Sequence, residues 1–252
     1  MEQLQRFVDL FLDVGLMLDA LPDLLVEGLR NTLTLALGAI AIGLVAGMGL
    51  AMLTISRRWW VRLPAVVYID IFRGLPAILT IFLVGVGLPI AGIRPFGRNM
   101  AAYAILALGL IATAYIAEIF RAGIQSVDKG QMEAARSLGM SYGRAMRLIV
   151  IPQGVRRVLP PLTNEFIAIT KDSSLAFIIG MSMGGRELFR IGQNLQQQTG
   201  NSSPVVMAGI MYLLITIPLT RLVNYMDRRM REGRPPQDDD VEGPQLTYRT
   251  EH

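Results

Sequence analysis

Long stretches without a single charged side chain constrain this chain more than any other feature. The clearest examples are residues 31–56, 74–93 and 99–117. A helix needs about 20 apolar residues to cross the roughly 30 Å hydrocarbon layer of a bilayer, and each run is about that long. Hydrophobic residues make up 52% of the 252 residues, and the mean hydropathy is +0.43. The sequence therefore predicts an all-α integral membrane protein with one membrane domain, residues 28–234.

The apolar stretches and the turns between them predict about five transmembrane helices. The expected spans are residues 31–56, about 63–93, 99–117, 158–185 and 204–220. The fourth differs from the others because it carries charged residues near its middle. An odd number of spans places the two ends of the chain on opposite sides of the membrane.

Basic residues indicate which side of the membrane each loop faces. Three strongly basic segments, residues 57–62, 121–157 and 221–234, fall on the same side in a five-span arrangement. Because positive charge near short loops favours the cytoplasm, these segments are predicted to be cytoplasmic. The N-terminus is then outside the membrane and the C-terminus is in the cytoplasm.

The two ends are expected to lie outside the bilayer. Residues 1–27 carry several acids and lack a basic start, so they do not resemble a cleaved signal. Four apolar residues recur there at helical spacing: Leu4, Phe7, Val8 and Phe11. They predict an amphipathic extracytoplasmic helix lying on membrane lipid, and a disordered acidic leader is the alternative. Residues 235–252 are rich in Asp, Pro and Gln and predict a disordered cytoplasmic tail.

Composition excludes several kinds of chemistry. The chain has no cysteine, and its only histidine is His252, so no disulfide, Cys-based metal site or imidazole catalysis is expected. The net charge of +4 is spread over separate loops and does not indicate nucleic-acid binding. The phosphate-binding pattern Gly-x-x-x-x-Gly-Lys-Ser/Thr is absent, so no nucleotide is expected on this chain. No catalytic residue and no cofactor are predicted.

The polar loop 122–156 is the most structured of the predicted cytoplasmic segments. Between Arg121 and Arg157, inclusive, seven Lys or Arg residues stand against two acids. Asp128, with Gln131 three positions later, fits a capping box that begins a helix, and Gly139 is the expected end of that helix. Ser141 is expected to cap a second short helix ahead of Pro152. The loop is therefore predicted to fold as a small helical knob.

The knob's surface suggests docking to a partner. Ala134 and Ala135 give the first helix little bulk, so that a groove in another protein could approach closely, and Glu133 and Arg136 supply charged edges. The alternative is that the basic residues only attract anionic lipid headgroups.

Specific residues in and around the knob resemble a known family. Glu133-Ala134-Ala135, Gly139 and Ile151-Pro152 resemble the Glu-Ala-Ala motif of permease subunits in ATP-binding cassette importers. The flanking sequence is similar to the branch that takes up polar amino acids. The similar positions there are Ala117-Glu118-Ile119, Gly123-Ile124, Ser126-Val127, Lys129-Gly130-Gln131, Leu159-Pro160-Pro161-Leu162, Asn164 and Lys171-Asp172-Ser173-Ser174-Leu175. The resemblance extends over about residues 28–226. Phe72-Arg73-Gly74-Leu75-Pro76 also resembles this branch, although Leu75 replaces a usually polar residue.

This resemblance implies a type I importer permease fold in a bacterial cytoplasmic (inner) membrane. It implies that the knob inserts into separate ATP-binding cassette ATPase subunits, which hold ATP and Mg. The coupling residues carried over are Glu133, Ala134, Ala135, Arg136, Ser137, Leu138 and Gly139. The other implied partners are an extracytoplasmic substrate-binding protein and a second permease subunit, in a homodimer or a heterodimer. The implied substrate is a polar amino acid, for example glutamine, glutamate or arginine.

Ionisable residues in the fourth span indicate a route for such a substrate. Charged groups within a membrane usually face a bundle interior or a hydrated cavity. Lys171 and Asp172 are adjacent and so point about 100° apart on a helix, whereas Glu165 lies seven residues before Asp172 and shares its face. The pathway candidates are Arg73, Glu118, Glu165, Thr170, Lys171, Asp172, Ser173 and Ser174. The alternative is that these groups only join helices through hydrogen bonds.

Other functions remain open at this stage. A secondary transporter driven by an ion gradient could use the same charged residues, although the chain shows no second copy of the Lys-Asp-Ser-Ser region. An importer of the same class could carry a solute other than an amino acid. An intramembrane enzyme is disfavoured because no metal-binding cluster or nucleophile–base set is evident.

Overall fold

The computed structural model describes residues 1–181 and 185–232, and these residues form helices joined by loops. The helices of the N-terminal half are α1 (Glu2–Phe11), α2 (Val14–Asp23), α3 (Leu29–Thr54), α4 (Trp59–Gly74), α5 (Ala77–Phe82) and α6 (Leu88–Ile90). Those of the C-terminal half are α7 (Met100–Gln125), α8 (Lys129–Ser137), α9 (Tyr142–Ala145), α10 (Ile151–Asp172), α11 (Leu188–Thr199) and α12 (Ser203–Glu232). The predicted tail, residues 235–252, lies outside the described residues.

Several of these helices have the length and composition to cross a membrane. Among the described residues, three helical stretches qualify, Glu2–Thr54, Met100–Gln125 and Ser203–Arg228, and the bent pair α4 with α5–α6 adds a fourth if it is one span. α10 has 22 residues and is therefore about 33 Å long. It is the fifth long element, but its charged residues make it too polar to meet the same standard.

The second predicted span is not one straight helix. The chain bends by 105° between Trp59–Gly74 and Ala77–Ile90. Pro76 has no N–H group, and its ring drives the preceding residue out of the helical conformation, so Leu75 is extended, with ψ at 140°. A π-helical turn, Leu83–Gly87, then leads into α6. The second span, predicted over about residues 63–93, is therefore bent at Pro76.

The fourth predicted span has different bounds. α10 begins at Ile151, not near residue 158, because a π-helical turn at Met146–Val150 joins α9 to it, and Pro152, which has no N–H to donate, directly follows this irregular turn. After Asp172 the chain tightens into a 3₁₀ helix, Ser173–Ile179, and stops at Gly180 in the left-handed conformation, φ 76°. The predicted end at residue 185 was too late.

The N-terminal region is more helical than the sequence predicted. The amphipathic segment forms α1, as expected, but a second helix, α2, follows it. Asp13 caps α2 by accepting a hydrogen bond from the backbone N–H of Leu16 at 3.1 Å. A π-helical turn at Leu24–Gly28 connects α2 to α3 without interruption. The first span therefore continues a helical segment and does not follow an irregular one.

Small residues hold α3 and α7 together at the centre of the molecule. A Cβ atom on Gly43 would lie 2.7 Å from Cδ1 of Ile116 and 2.9 Å from Cβ of Ala112, and one on Gly47 would lie 3.1 Å from the backbone nitrogen of Ala117. Such close approach of two backbones is how membrane helices gain packing when lipid supplies no hydrophobic drive. This pair forms the middle of the main core.

The buried apolar residues fall into separate clusters. The largest joins α3, α5, α7, α10 and the 3₁₀ helix through residues such as Leu35, Leu108, Ile116 and Ile169. A second joins α2, α11 and α12 at the other end of α3 from the knob, and its fully buried members include Leu24, Leu188 and Ile191. The knob rests on a third, smaller cluster.

The α3–α7 contact predicts a matched pair of glycine variants. Gly43→Ala forces two close-packed helices apart, and overpacking of this kind costs about 1–3 kcal/mol. We expect the unfolding midpoint of the purified protein to fall by several degrees, at about 2–4 °C per kcal/mol for a chain of this size.

Gly49→Ala is the control, because no atom lies within 4 Å of a Cβ at that position. It removes a flexible residue from the interior of α3, so the midpoint should stay unchanged or rise slightly. Equal midpoints for the two variants would contradict close packing at Gly43.

Candidate functional site

The first helix of the knob begins as the sequence predicts. Asp128 is the N-cap of α8 and accepts a hydrogen bond from the backbone N–H of Gly130 at 2.6 Å. The Gln131 side chain, expected to complete a capping box, instead accepts a hydrogen bond from Nε2 of Gln153 at 3.2 Å. The latter contact ties the start of α8 to the start of α10.

The end of α8 is a tight left-handed turn. Gly139 has a φ of 83°, the backbone N–H of Met140 donates to Ala135 O at 3.1 Å, and that of Gly139 donates to Arg136 O at 3.0 Å. This is the Schellman arrangement, which requires a residue that tolerates positive φ. The Arg136 side chain also donates to Met140 O at 2.8 Å, and Ser141 then caps α9. The predicted first helix, its turn and the cap of the second helix are therefore present, but the second helix does not end ahead of Pro152, because it continues through a π-helical turn into α10.

The two alanines of the motif face different ways. Ala135 is buried, whereas Ala134 is exposed. Only Ala134 contributes to the outer face of α8. The other residues carried over from the family are exposed, and Leu138 is 85% exposed: Glu133, Arg136, Ser137, Leu138 and Gly139. The knob thus presents a small, partly apolar surface and uses Ala135 for its own packing.

The knob sits on the ends of the membrane helices. Val127 and Val150 are buried with Ile124, and Met52 of α3 and Ile55, at the end of that helix, pack against them. A cavity of about 570 Å³ remains between the end of α3 and the knob. At its edge the Arg57 guanidinium lies over the Tyr142 ring, 5.5 Å from the ring centre.

Below the knob, α7 and α10 cross with almost no space between their backbones. A Cβ atom on Gly123 would lie 3.0 Å from Gly154 O, and one on Gly154 would lie 3.0 Å from the Cα of Ile124. The Arg157 side chain also donates to the backbone oxygen of Ser126 at this crossing. The helix before the knob and the helix after it are consequently held in a fixed position relative to each other.

Three charged residues in the second half of α10 are accessible to different degrees. Lys171 is exposed, and Glu165 and Asp172 are partly exposed. The two carboxyl groups interact electrostatically, in agreement with the predicted seven-residue alignment. The 3₁₀ helix that follows therefore starts next to a cluster of three ionisable side chains.

The hydroxyl groups around this cluster are less available than predicted. Thr170 and Ser173 are completely buried, and their hydroxyls donate to the backbone oxygens of Phe166 and Thr170, each at 2.7 Å. Ser174 is partly exposed and donates to Lys171 O at 2.7 Å. In this conformation, Thr170 and Ser173 face the protein and do not line an open path.

A second set of charged side chains lies where α4 meets α7. Glu118 accepts two hydrogen bonds from Arg121, at 2.8 and 2.5 Å. Arg73, at the end of α4, lies 5.4 Å from the centre of the Tyr115 ring and interacts electrostatically with both Glu118 and Glu165. A cavity of about 640 Å³ contains Arg73 and Glu118 in its lining. Arg73 therefore links the charges of α7 with those of α10.

Sequence reasoning missed a polar network at the opposite end of α3. Glu27 accepts three hydrogen bonds from Arg186: from its backbone N–H at 3.1 Å and from its guanidinium at 3.0 and 2.7 Å. The hydrogen bonds to Glu27 raise the pKa of the Arg186 guanidinium above its ordinary value. The next residue, Glu187, is fully buried and caps α11. The only local signal was an acid just before the amphipathic stretch 188–199.

No group of three or more His, Asp or Glu side chains within residues 1–181 and 185–232 could hold a metal ion. The site thus consists of the helical knob and of charged side chains on α4, α7 and α10.

The sequence matches transport proteins over most of its length. Residues 33–232 match the family described as binding-protein-dependent transport system inner membrane component. The chain is 35% identical over 208 residues to the probable glutamine ABC transporter permease protein GlnM of Bacillus subtilis, a match that covers 82% of this chain and 93% of that protein. It is 37% identical over 210 residues to the octopine transport system permease protein OccM of Rhizobium radiobacter, covering 81% and 84% of the two chains.

Solved structures share the fold. A crystal structure of an amino acid ABC transporter with histidines superposes with a TM-score of 0.75 at 34% identity, over 84% of this chain and 96% of that chain. An inward-facing form of the MetNI methionine ABC transporter gives a TM-score of 0.65 at 20% identity, over 84% and 97% of the chains. The latter likeness concerns the fold alone, and together they establish the type I importer permease architecture.

The turn after α8 predicts a local effect at Gly139. Gly139→Ala places a side chain at φ 83°, and a left-handed conformation costs a non-glycine residue about 1–2 kcal/mol. We expect the amides of residues 138–140 to exchange with deuterium about 5–30 times faster, the factor that such an energy represents.

Gly143→Ala is the matched control, because Gly143 lies in α9 with nothing within 4 Å of a Cβ. Unchanged exchange in Gly139→Ala would show that the turn does not depend on the left-handed residue.

Proposed function

Since the chain belongs to the family of inner membrane components of binding-protein-dependent transport systems, we propose that it is the permease subunit of an ATP-driven importer for a polar amino acid. Glutamine, glutamate and arginine are the substrates expected from the sequence, and the similar proteins include permeases named for glutamine, arginine and glutamate/aspartate. In this proposal the chain provides the path for the solute, an ATPase supplies the energy, and a binding protein captures the solute.

The observation that carries this proposal is the form of the knob. Its outer face offers Glu133, Ala134 and Leu138 to a partner, while its inner face is packed on α3, α7 and α10. A lipid-binding loop needs only positive charge. It would not need a small alanine face or a glycine-terminated helix held by a specific turn. Docking of a protein groove accounts for these features together.

We propose that the partners are those the family resemblance implies. ATP-binding cassette ATPase subunits bind ATP and Mg²⁺ and receive residues Glu133, Ala134, Arg136, Ser137, Leu138 and Gly139, with Ala135 as the internal anchor. An extracytoplasmic binding protein delivers the amino acid. A second permease subunit completes the wall of the path, since Lys171 is exposed on the surface of a single chain.

The helix connection suggests how a motion of the ATPase reaches the membrane. From Tyr142 to Asp172 the chain is helical throughout, because the π-helical turn joins α9 to α10. The crossing at Gly123 and Gly154 holds α7 to the same unit. A displacement of the knob is therefore passed along α10 to Lys171 and Asp172, about 33 Å away at 1.5 Å per residue.

The charges of the bundle suit a zwitterion. An amino acid leaving water needs an anionic partner for its ammonium group and a cationic partner for its carboxylate. We propose Glu165, Asp172 and Glu118 for the first role and Lys171 and Arg73 for the second. Ser174 can add a hydroxyl, whereas Thr170 and Ser173 contribute only if the helix rotates, because both are buried here.

The proposed orientation in the membrane follows from the side on which the basic segments lie. The knob and the basic segments lie in the cytoplasm, so α1 and the turn between α11 and α12 lie outside. α1 is fastened to that turn by hydrogen bonds from Ser202 N to Leu10 O at 2.8 Å and from Asn201 Nδ2 to Asp9 O at 2.8 Å. The apolar residues of α1 are exposed, as membrane contact requires.

Reconstitution tests the function directly. The chain is assembled in liposomes with the ATPase and the binding protein from its own source, and uptake of labelled glutamine, glutamate and arginine is followed with ATP inside. We expect uptake of at least one of them that requires both partners and ATP hydrolysis. Uptake driven by an ion gradient without the ATPase would contradict the proposal.

The small face of α8 predicts an effect of bulk at Ala134. Ala134→Trp should block docking, so that uptake and the stimulation of ATP hydrolysis by the binding protein fall at least tenfold, because a bulky side chain prevents close approach of the groove. Insertion of the chain into the membrane should not change, since Ala134 is exposed. Ala134→Ser keeps the residue small and serves as the control. Normal uptake in the tryptophan variant would remove α8 from the interface.

The pathway role predicts a selective effect of Asp172. Asp172→Asn keeps the shape of the side chain and removes its charge, so uptake per assembled complex should fall about tenfold or more, the usual effect of losing one charge-assisted hydrogen bond. Assembly, measured as ATPase recovered with the tagged permease, should remain normal. Asp19→Asn, a change at an exposed acid of α2, is the control. A parallel loss of assembly would favour a purely structural role.

A further inference from the structure

The cavity between the end of α3 and the knob has two kinds of lining. Its volume is about 570 Å³, its apolar lining residues are Met52, Ile55 and Met146, and its charged lining residues are Arg57 and Arg136. Within residues 1–181 and 185–232, no acidic side chain lines it. The cavity is therefore suited to a ligand that is negatively charged in one part and apolar in another.

Both arginines have hydrogen-bond donors to offer to such a ligand. Neither guanidinium forms an ion pair with a carboxylate of the described part of the chain. Arg57 lies over the ring of Tyr142, and Arg136 donates a hydrogen bond to Met140 O. A guanidinium presents several N–H donors in a rigid fork that matches two oxygens of a phosphate group, so each arginine can also bind an anion.

The cavity lies at the level of the lipid headgroups. α3 carries no charge over residues 31–54, and the first charges after it are those of Arg57 and Arg58. Trp59 and Trp60 follow and are 70% and 56% exposed. Tryptophan is enriched at the boundary between the hydrocarbon layer and water. The Arg57 side chain is therefore within reach of the phosphate groups of the bilayer.

We propose that this cavity binds one anionic phospholipid of the phosphatidylglycerol type. Arg57 and Arg136 bind its phosphate oxygens, and the apolar lining residues contact its glycerol backbone and the first carbons of its acyl chains. A headgroup with an ammonium ion fits less well, because the arginines repel it and no described acid of the cavity balances it. The bound phosphate joins the end of α3 to the knob.

This site differs from the general attraction of basic loops to a membrane, which depends on total charge and not on the position of one arginine. Arg58 shows the contrast. It is adjacent to Arg57, but it lies over the Trp60 ring, 5.7 Å from the ring centre, and does not line the cavity. The site also leaves Ala134 free for docking, because Arg136 is two positions further along α8 and so about 200° around it.

Native mass spectrometry of the full chain in detergent micelles tests the inference. The protein is titrated with phosphatidylglycerol and, separately, with phosphatidylcholine that has the same acyl chains. We expect the first phosphatidylglycerol to bind about tenfold more tightly or better, the effect of one hydrogen bond to a charged group. Arg57→Gln should remove this preference, because it removes the charge and most of the donors. Arg58→Gln is the matched control and should bind the lipid as the wild type does.

Three results would overturn the inference. The first is equal affinity of the wild type for the two lipids. The second is an equal loss in Arg57→Gln and Arg58→Gln, which would show attraction by charge alone. The third concerns Arg57→Lys, which keeps the charge but not the fork and should bind more weakly than the wild type even if Arg57→Gln does not fold. Unchanged binding in this variant would exclude recognition of the phosphate by Arg57.

Two further measurements identify the occupant. Excess inorganic phosphate should displace little phosphatidylglycerol, because it lacks the apolar contacts, and full displacement would make a free anion the ligand. In the assembled complex with the ATPase, one phosphatidylglycerol per permease chain should remain bound, and Arg57→Gln should lose it. A wild-type complex without this lipid would indicate that a carboxylate of the ATPase occupies the cavity, and the inference would fail.

The inference depends on neither the transported solute nor the source of energy. If the assembled complex takes up no amino acid, the proposed function fails, and the lipid titration of the isolated chain still decides whether the cavity binds phosphatidylglycerol.

Discussion

The close crossing of α7 and α10 is the contact on which the rest of this structure depends. Two glycines, Gly123 and Gly154, let the backbones approach so closely that neither position could carry a Cβ without displacement of the other helix. Because α7 enters the knob and α10 leaves it, this crossing makes the knob and both helices one mechanical unit. A loose connection would let the knob move while the membrane charges stayed in place.

Contacts between helices also keep charged side chains, which are costly to bury, inside the bundle. Charged residues in a membrane need partners or water. Arg73 meets this need by lying among Tyr115, Glu118 and Glu165, at the 105° bend that places the end of α4 beside α7. At the opposite end of α3, Glu187 is satisfied by α11 and α12. The bundle thus has a polar contact region near each end of α3, and both regions join helices that are distant in sequence.

Local signals made the knob predictable from the sequence, and the absence of such signals explains what was not. Asp128 and Gly139 interact with residues only a few positions away in the sequence. The cap and the turn of α8 can therefore be predicted from the sequence alone. The second span was predicted to run through Pro76, and the bend found there depends on packing against α7, which the sequence alone does not give. The partners of Glu187 include Tyr212, which no periodic pattern connects to it, and α11 was consequently missed. The burial of Thr170 could not be predicted either. Helical spacing shows which residues share a face, but it does not show which face packs against another helix.

The central claim is that the knob takes up motion from an ATPase on another chain. The sequence contains no cysteine, so Leu138→Cys introduces a single thiol at a coupling residue that is 85% exposed. In the assembled complex, we predict that a short thiol-reactive cross-linker joins this position to the ATPase subunit, that uptake stops when the link forms, and that cleavage of the linker restores it. Full uptake in a complex whose position 138 never reaches the ATPase would contradict the account.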